Sequence, residues 1–307
     1  MQDSAVHRGG RIPGGEGRAA FTLSMASPSP VPILIAVPHA GRFYPANLLG
    51  RMRYPAEATL KLEDRYVDRL AEAIARQTGA ALLVAHAPRA MVDLNRAVED
   101  MDWEMLDRAE RPTCFESNCG RRARSGLGLV PRRLPGLGEL WKDRIDLAEL
   151  DARLDQVHRP YHQALSDTLA ALRDRWGAAL LLDLHSMPPL SGRAYREPVA
   201  DFVVGDRFGA SCDGNLCALA FERLGRLGWK VAHNRPYAGG YVLDRHTAPG
   251  RCLHGFQLEI CRSIYLDAGL SEPGPGFARI AEQLAELVRR LAEEVAMLGR
   301  GMPLAAE

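Results

Sequence analysis

The apolar residues of this chain fall into two patterns that alternate along its length. Short unbroken runs, Ile33-Leu34-Ile35-Ala36-Val37, Ala81-Leu82-Leu83-Val84-Ala85 and residues 178–182, predict buried strands. Segments with apolar residues three or four apart predict helices between them. Residues 55–78 form one such segment, through Leu62, Tyr66, Leu70, Ala73 and Ile74, with Gly79 as its stop. Residues 147–176 form a second, through Leu150, Leu154, Val157, Tyr161, Leu165 and Leu169, ended by Gly177. Further on, residues 201–205, 229–232 and 254–260 read as strands, and 216–227 and 276–297 as helices. This alternation predicts an α/β architecture with helices on both faces of one sheet.

Two stretches fall outside the pattern. Residues 1–29 are punctuated by Gly9-Gly10, Pro13-Gly14-Gly15 and Ser27-Pro28-Ser29-Pro30, and predict a disordered N-terminal tail. The tail lacks the apolar core of a secretory signal. Residues 99–140 are rich in Gly, Pro and Arg and predict a long irregular insertion, of the kind that is functional or mobile. One domain over residues 30–300 accounts for the remainder.

Composition narrows the function classes. Hydrophobic residues make up 47% of the chain and charged residues 25%, enough for a full core. A formal net charge of +1 argues against nucleic acid or an anionic membrane as partner. No apolar run approaches bilayer-spanning length. The six cysteines, Cys114, Cys119, Cys212, Cys217, Cys252 and Cys261, include no CxxC pair and read as reduced thiols in a cytoplasmic protein. The glycines of residues 205–214 match neither a dinucleotide fingerprint nor a phosphate loop.

The candidate chemistry lies at the strand ends. The run 178–182 continues into Asp183-Leu184-His185-Ser186-Met187-Pro188. Residues two apart on a strand share a face, so Asp183 and His185 point the same way at its carboxyl end, where open α/β sheets place ligands. A histidine oriented by a neighbouring acid is a common metal ligand, and a plain buried histidine is the other reading. His39, Arg89, Asn95 with Arg96, and Glu259 are further strand-end residues with no packing role. In residues 255–260, Phe256, Leu258 and Ile260 share one face while Gln257 and Glu259 share the other. A carboxylate there is costly unless paired, for instance with Arg262, or working. Two histidines and a carboxylate with an open position are the ligands of a hydrolytic zinc site. Such a metal acidifies a water and polarises a carbonyl. A separate carboxylate must then shuttle the proton, and cationic groups must hold the oxyanion and any anionic part of the substrate. The strand-end residues fill every one of these roles.

Seven segments in order resemble the N-formylglutamate amidohydrolase family: Pro38-His39-Ala40-Gly41, residues 62–68, residues 89–96, Asp183-Leu184-His185-Ser186-Met187-Pro188, and residues 201–209, 234–241 and 257–260. That family is similar in turn to aspartoacylase and the zinc carboxypeptidases. The resemblance implies a zinc-exopeptidase-like, three-layer α/β fold with a central mixed sheet. It also implies hydrolysis of N-formyl-L-glutamate to formate and L-glutamate, a closing step of histidine degradation. By resemblance His39 and His185 are metal ligands for one zinc ion, Glu259 is the general acid/base and Arg89 polarises the scissile carbonyl. Asn95 and Arg96 resemble the pair that grips a substrate carboxylate. In the wider superfamily an acid follows the first histidine by three residues, but here Ala40-Gly41-Arg42 follows His39. The acidic ligand must come from elsewhere, and Asp64 is preferred to Glu63. The family commonly has serine at Ala40, a change expected to be harmless.

Arg235, Tyr237, Gly239 and Gly240 suggest a substrate-binding loop free to close over the pocket, with a surface turn as the other reading. His162 reads as a packed helix-face histidine, and His233 and His246 are further pocket candidates. The implied partner is a small N-acyl acidic amino acid. Two other readings stand beside it: a deacylase or carboxypeptidase acting on another N-acyl amino acid or small peptide, and a non-catalytic carboxylate-binding module.

Overall fold

Alternate residues of each apolar run face opposite sides of one eight-stranded sheet in the computed structural model, which describes residues 4–107, 121–190 and 199–301. In chain order come β1 (Ser4–Gly9), β2 (Phe21–Ala26), β3 (Ile33–Val37), α1 (Ala46–Arg51), α2 (Pro55–Leu62), α3 (Val67–Thr78) and β4 (Ala81–Ala85). There follow α4 (Arg121–Arg124), a small hairpin of β5 (Arg133–Leu134) and β6 (Gly138–Glu139), α5 (Leu147–Arg153), α6 (Arg159–Trp176) and β7 (Ala179–Met187). The chain continues through β8 (Phe202–Gly205), α7 (Gly214–Arg226), β9 (Val231–His233), α8 (Tyr241–His246), β10 (Leu253–Cys261) and α9 (Phe277–Gly301).

The sheet order is β1-β2-β4-β3-β7-β10-β8-β9. The central four strands, β4, β3, β7 and β10, are mutually parallel, so their carboxyl ends lie side by side. Pairing of β2 on β4 and of β8 on β10 is antiparallel, which makes the sheet mixed. On one face Leu180, Leu182 and Leu184 of β7 and Phe256, Leu258 and Ile260 of β10 pack against α3, α7 and α9. On the other face Ala179 and Leu181 pack with Leu165, Leu169 and Leu172 of α6. Each fully buried side chain of this kind contributes roughly 1.5–3 kcal/mol. The expected helices-on-both-faces α/β architecture is what forms.

Two expectations need correction. Residues 4–26 are not a disordered tail, since β1 and β2 add two strands to the β4 edge. Phe21 packs edge-on to Tyr161 with ring centroids 5.8 Å apart. The glycines serve turns within the loop that joins these strands, with Gly10, Gly14 and Gly17 all at positive φ. Residues 55–78 are two helices rather than one. The chain leaves helical geometry at Glu63, and Tyr66 takes a left-handed conformation (φ 59°) before α3 begins. A hydrogen bond from the Asp64 N–H to the His39 carbonyl (2.9 Å) holds the break. The described parts of the 99–140 insertion are irregular as expected, yet anchored. Met101, Met105, Leu106, Leu129, Val130 and Leu140 are buried in the core of that face. Cys114 and Cys119 lie outside the described residues. The other four cysteines are free thiols.

Candidate metal centre and pocket

The polar face of β7 continues the apolar one. After Ala179 and Leu181 the same side of the strand carries Asp183 and His185, both buried at the carboxyl end of the parallel strands. The parallel register sets Gln257 beside Asp183 and Glu259 beside His185. His39 lies two residues past β3, and the His39–His185 ring centroids are 4.8 Å apart. The break between α2 and α3 brings Asp64 to them. One oxygen of Asp64 lies 3.0 Å from His185 Nδ1 and 3.7 Å from His39 Nδ1. Glu63 instead turns to Arg65 at 2.8 Å.

The far edge of each ring is held by an acid. His39 Nε2 lies 2.7 Å from Asp93 Oδ1, and His185 Nε2 lies 3.0 Å from Asp183 Oδ2. If each Nε2–H donates to its carboxylate, both Nδ1 lone pairs face Asp64. That arrangement is repulsive unless a proton or a cation stands between them. His39, Asp64 and His185 offer donor atoms within 4.8 Å of one another, and all three are buried. Without a cation a proton takes its place. Burial disfavours the charged His185 imidazole, but Asp183 and Asp64 hold its pKa well above the usual value. Burial likewise works against the Asp64 carboxylate, and the two histidines nonetheless hold its pKa down. Two imidazoles and one carboxylate, each ring backed by an acid, therefore fit a divalent metal such as zinc.

Around this cluster is a cavity of about 220 Å³ lined by Arg89, Asn95, Arg96, Tyr237, Gly239, Gly240 and Glu259, among others. Glu259 accepts a hydrogen bond from Gln257 Nε2 (2.7 Å). Burial and the nearby Asp64 and Asp183 push its carboxyl up to about 7, against the opposing pull of His185 and Arg89. Arg89 donates Nε to Asp93 Oδ2 at 2.9 Å. Asp93 also accepts the Asn95 N–H at 2.8 Å. Its burial would raise its pKa, but Arg89, His39 and Arg96 hold it well below the usual range.

The structure changes several expected roles. The 235–240 segment is docked against Asn95, not open: Val242 N–H donates to Asn95 Oδ1 at 2.9 Å. A Cβ on Gly240 would lie 2.5 Å from that oxygen, so glycine here permits close approach. Tyr237, Gly239 and Gly240 line the cavity, whereas Arg235 is exposed and outside its wall. Arg262 does not pair with Glu259. Its Nε donates to Ser186 Oγ (3.1 Å), and its other nitrogens reach the Leu60 and Glu63 carbonyls and Asp64. His246 is buried away from the cavity, 2.9 Å from His162 Nδ1, and His162 is packed as expected. His233 is exposed and pairs with Asp206 at 3.0 Å. Sequence reasoning missed Asp93, although it stands two residues before Asn95 in a stretch already singled out. It also gave no role to Lys61, which lines the cavity.

The model of one family, N-formylglutamate amidohydrolase, matches residues 31–266, a span that contains every residue of this cluster. The chain belongs to that family. As an N-formylglutamate amidohydrolase family member it is 29% identical over 272 residues to an N-formylglutamate deformylase of Pseudomonas aeruginosa, covering 88% of this chain and 94% of that one. It is 30% identical over 245 residues to the Pseudomonas putida N-formylglutamate deformylase, covering 77% and 82%. The crystal structure of N-formylglutamate amidohydrolase from Ralstonia eutropha superposes with a TM-score of 0.81 at 33% identity, over 92% of this chain and 99% of that one. No helix among the described residues is long and apolar enough to cross a membrane.

Proposed function

We propose that this family member hydrolyses the formamide of N-formyl-L-glutamate to formate and L-glutamate, using one zinc ion held by His39, Asp64 and His185. The convergence of those three side chains beside Glu259 carries the reading. A metal at that cluster supplies Lewis acidity, polarising the formyl carbonyl and acidifying a water. Glu259, with a pKa of about 7, is poised to accept a proton from the attacking water near neutrality. It returns that proton to the amide nitrogen as the C–N bond breaks, so the amine leaves neutral. Arg89 is anchored by Asp93 and steadies the carbonyl oxygen as negative charge builds there. Asn95 and Arg96 hold the α-carboxylate, and Tyr237, Gly239 and Gly240 wall off the opposite side. A cavity of about 220 Å³ suits a substrate smaller than the drug-sized ligands of typical pockets. The four free thiols among the described residues support a cytoplasmic setting, where histidine degradation supplies this substrate.

The test is metal removal. Protein stripped with a chelator should lose turnover of N-formyl-L-glutamate and regain it with stoichiometric zinc, while His185→Ala should retain neither metal nor activity. Full activity in rigorously metal-free protein would refute the mechanism.

A further inference from the structure

One group of the proposed substrate still lacks a partner. N-formyl-L-glutamate carries a formamide and two carboxylates, and the cavity wall holds four cationic side chains: Lys61, Arg89, Arg96 and Arg262. Arg89 faces the reacting carbonyl, and Arg96 beside Asn95 takes the α-carboxylate. Arg262 is committed to Ser186, two backbone carbonyls and Asp64. Lys61 differs from all three. It sits in the last turn of α2 and gives one hydrogen bond, to the Pro135 carbonyl (3.2 Å). No carboxylate lies within ion-pair distance of it among the described residues. An ammonium on a flexible stem has three donors, so two remain for a ligand.

Its surroundings define a subsite. Leu62 of α2, Leu127, and Leu134 of the β5–β6 hairpin line the same cavity as Lys61. The hairpin is fixed in place, since Arg53 N–H donates to the Leu140 carbonyl (2.8 Å) and Met52 bridges Trp141. Apolar side chains beside an exposed cation at the cavity wall match the two methylenes and terminal carboxylate of a glutamyl side chain. We infer that Lys61, steadied by its hydrogen bond to the 133–139 hairpin, binds the side-chain carboxylate and thereby selects acidic N-acyl amino acids. The inference rests on the proposed function and gives the irregular insertion a part in specificity.

Steady-state kinetics on the zinc-loaded full chain decide it, with N-formyl-L-glutamate and its neutral isostere N-formyl-L-glutamine as substrates. Wild type should prefer the glutamate. Lys61→Met keeps the aliphatic stem and removes the charge. It should raise KM for the glutamate by roughly tenfold and bring the preference toward one, a loss the glutamine substrate does not share. Lys61→Arg should restore most of the preference. Calorimetric titration of L-glutamate into the same proteins should show a parallel loss of affinity. If Lys61→Met keeps the wild-type preference, the subsite assignment is wrong and the proposed function stands. If wild type does not hydrolyse N-formyl-L-glutamate at all, the proposed function fails and the assignment with it.

Discussion

Replacing Asp93 by Asn changes one oxygen to an NH2 group at the point where three parts of the centre meet. Asp93 Oδ1 accepts from His39 Nε2 (2.7 Å) and from the Asn95 N–H (2.8 Å), and Oδ2 accepts from Arg89 Nε (2.9 Å). An asparagine that keeps its oxygen toward His39 must turn its NH2 toward Arg89, setting donor against donor. Breaking a buried ion pair costs about 3–5 kcal/mol. The Arg89 side chain is 21% exposed, so solvent recovers part of this and about 2–3 kcal/mol is expected. Asp183 offers the matched control. Among the described residues its Oδ2 serves His185 alone, and its Oδ1 has no partner. Asp183→Asn therefore removes charge behind one ring without creating a clash, a loss of about 1 kcal/mol. Removing an acid that orients a ligating histidine lowers metal affinity by about 10–100-fold. Competition with a chromogenic chelator should place Asp93→Asn near the upper end of that range and Asp183→Asn near the lower. Asp93→Asn should also lower kcat, because Arg89 loses its anchor. If Asp183→Asn weakens zinc as much as Asp93→Asn does, the three-way role drawn for Asp93 is wrong.

Glu259→Gln should lower kcat by about 10²–10⁴-fold with little change in KM, measured on N-formyl-L-glutamate. The same substitution should stabilise metal-free protein in alkali. A carboxyl raised from the ordinary 4.5 to about 7 favours the fold fully only below about 4.5, and that contribution disappears as pH rises through 7. Glu259→Gln should therefore gain on wild type between pH 5 and pH 8 by roughly 2–3 kcal/mol in thermal or urea unfolding, and an equal gap at both pH values would contradict the buried-acid account. Gly240→Ala places a Cβ 2.5 Å from Asn95 Oδ1, so substrate KM should rise and stability fall by about 1–3 kcal/mol; wild-type kinetics would show that the loop is not docked as described. Phe21→Ala should cost about 3–5 kcal/mol of unfolding free energy, since Phe21 is buried against Tyr161; a near-neutral result would return residues 4–26 to a dispensable tail.

Which features were readable in advance follows from how local their causes are. His185 and Glu259 were legible because a strand shows each face every second residue, and a polar residue on a buried face stands out. Their neighbours Leu184 and Leu258 are buried on the opposite side. His39 and Arg89 were legible as polar residues just past apolar runs. Asp64 was not legible from pattern. Leu62, Tyr66 and Leu70 continue a helical spacing across it, and the break that frees Asp64 depends on the His39 carbonyl 25 residues away. Arg235 looked like a substrate ligand and is exposed, because neighbours in sequence along an irregular loop need not face the same way.

The sequence by itself determined the alternation of core strands and main helices from residue 33 onward, the face each of those strands turns to the core, and the family, since these rest on local periodicity and on motifs read in line. Only the tertiary structure decided that residues 4–26 complete the sheet, that Asp93 ties His39 to Arg89, and that Lys61 and the 133–139 hairpin reach the same cavity. Those contacts join segments tens to more than a hundred residues apart. Their free energy depends on burial and charge at a shared point in space, and that point does not exist until the sheet has formed.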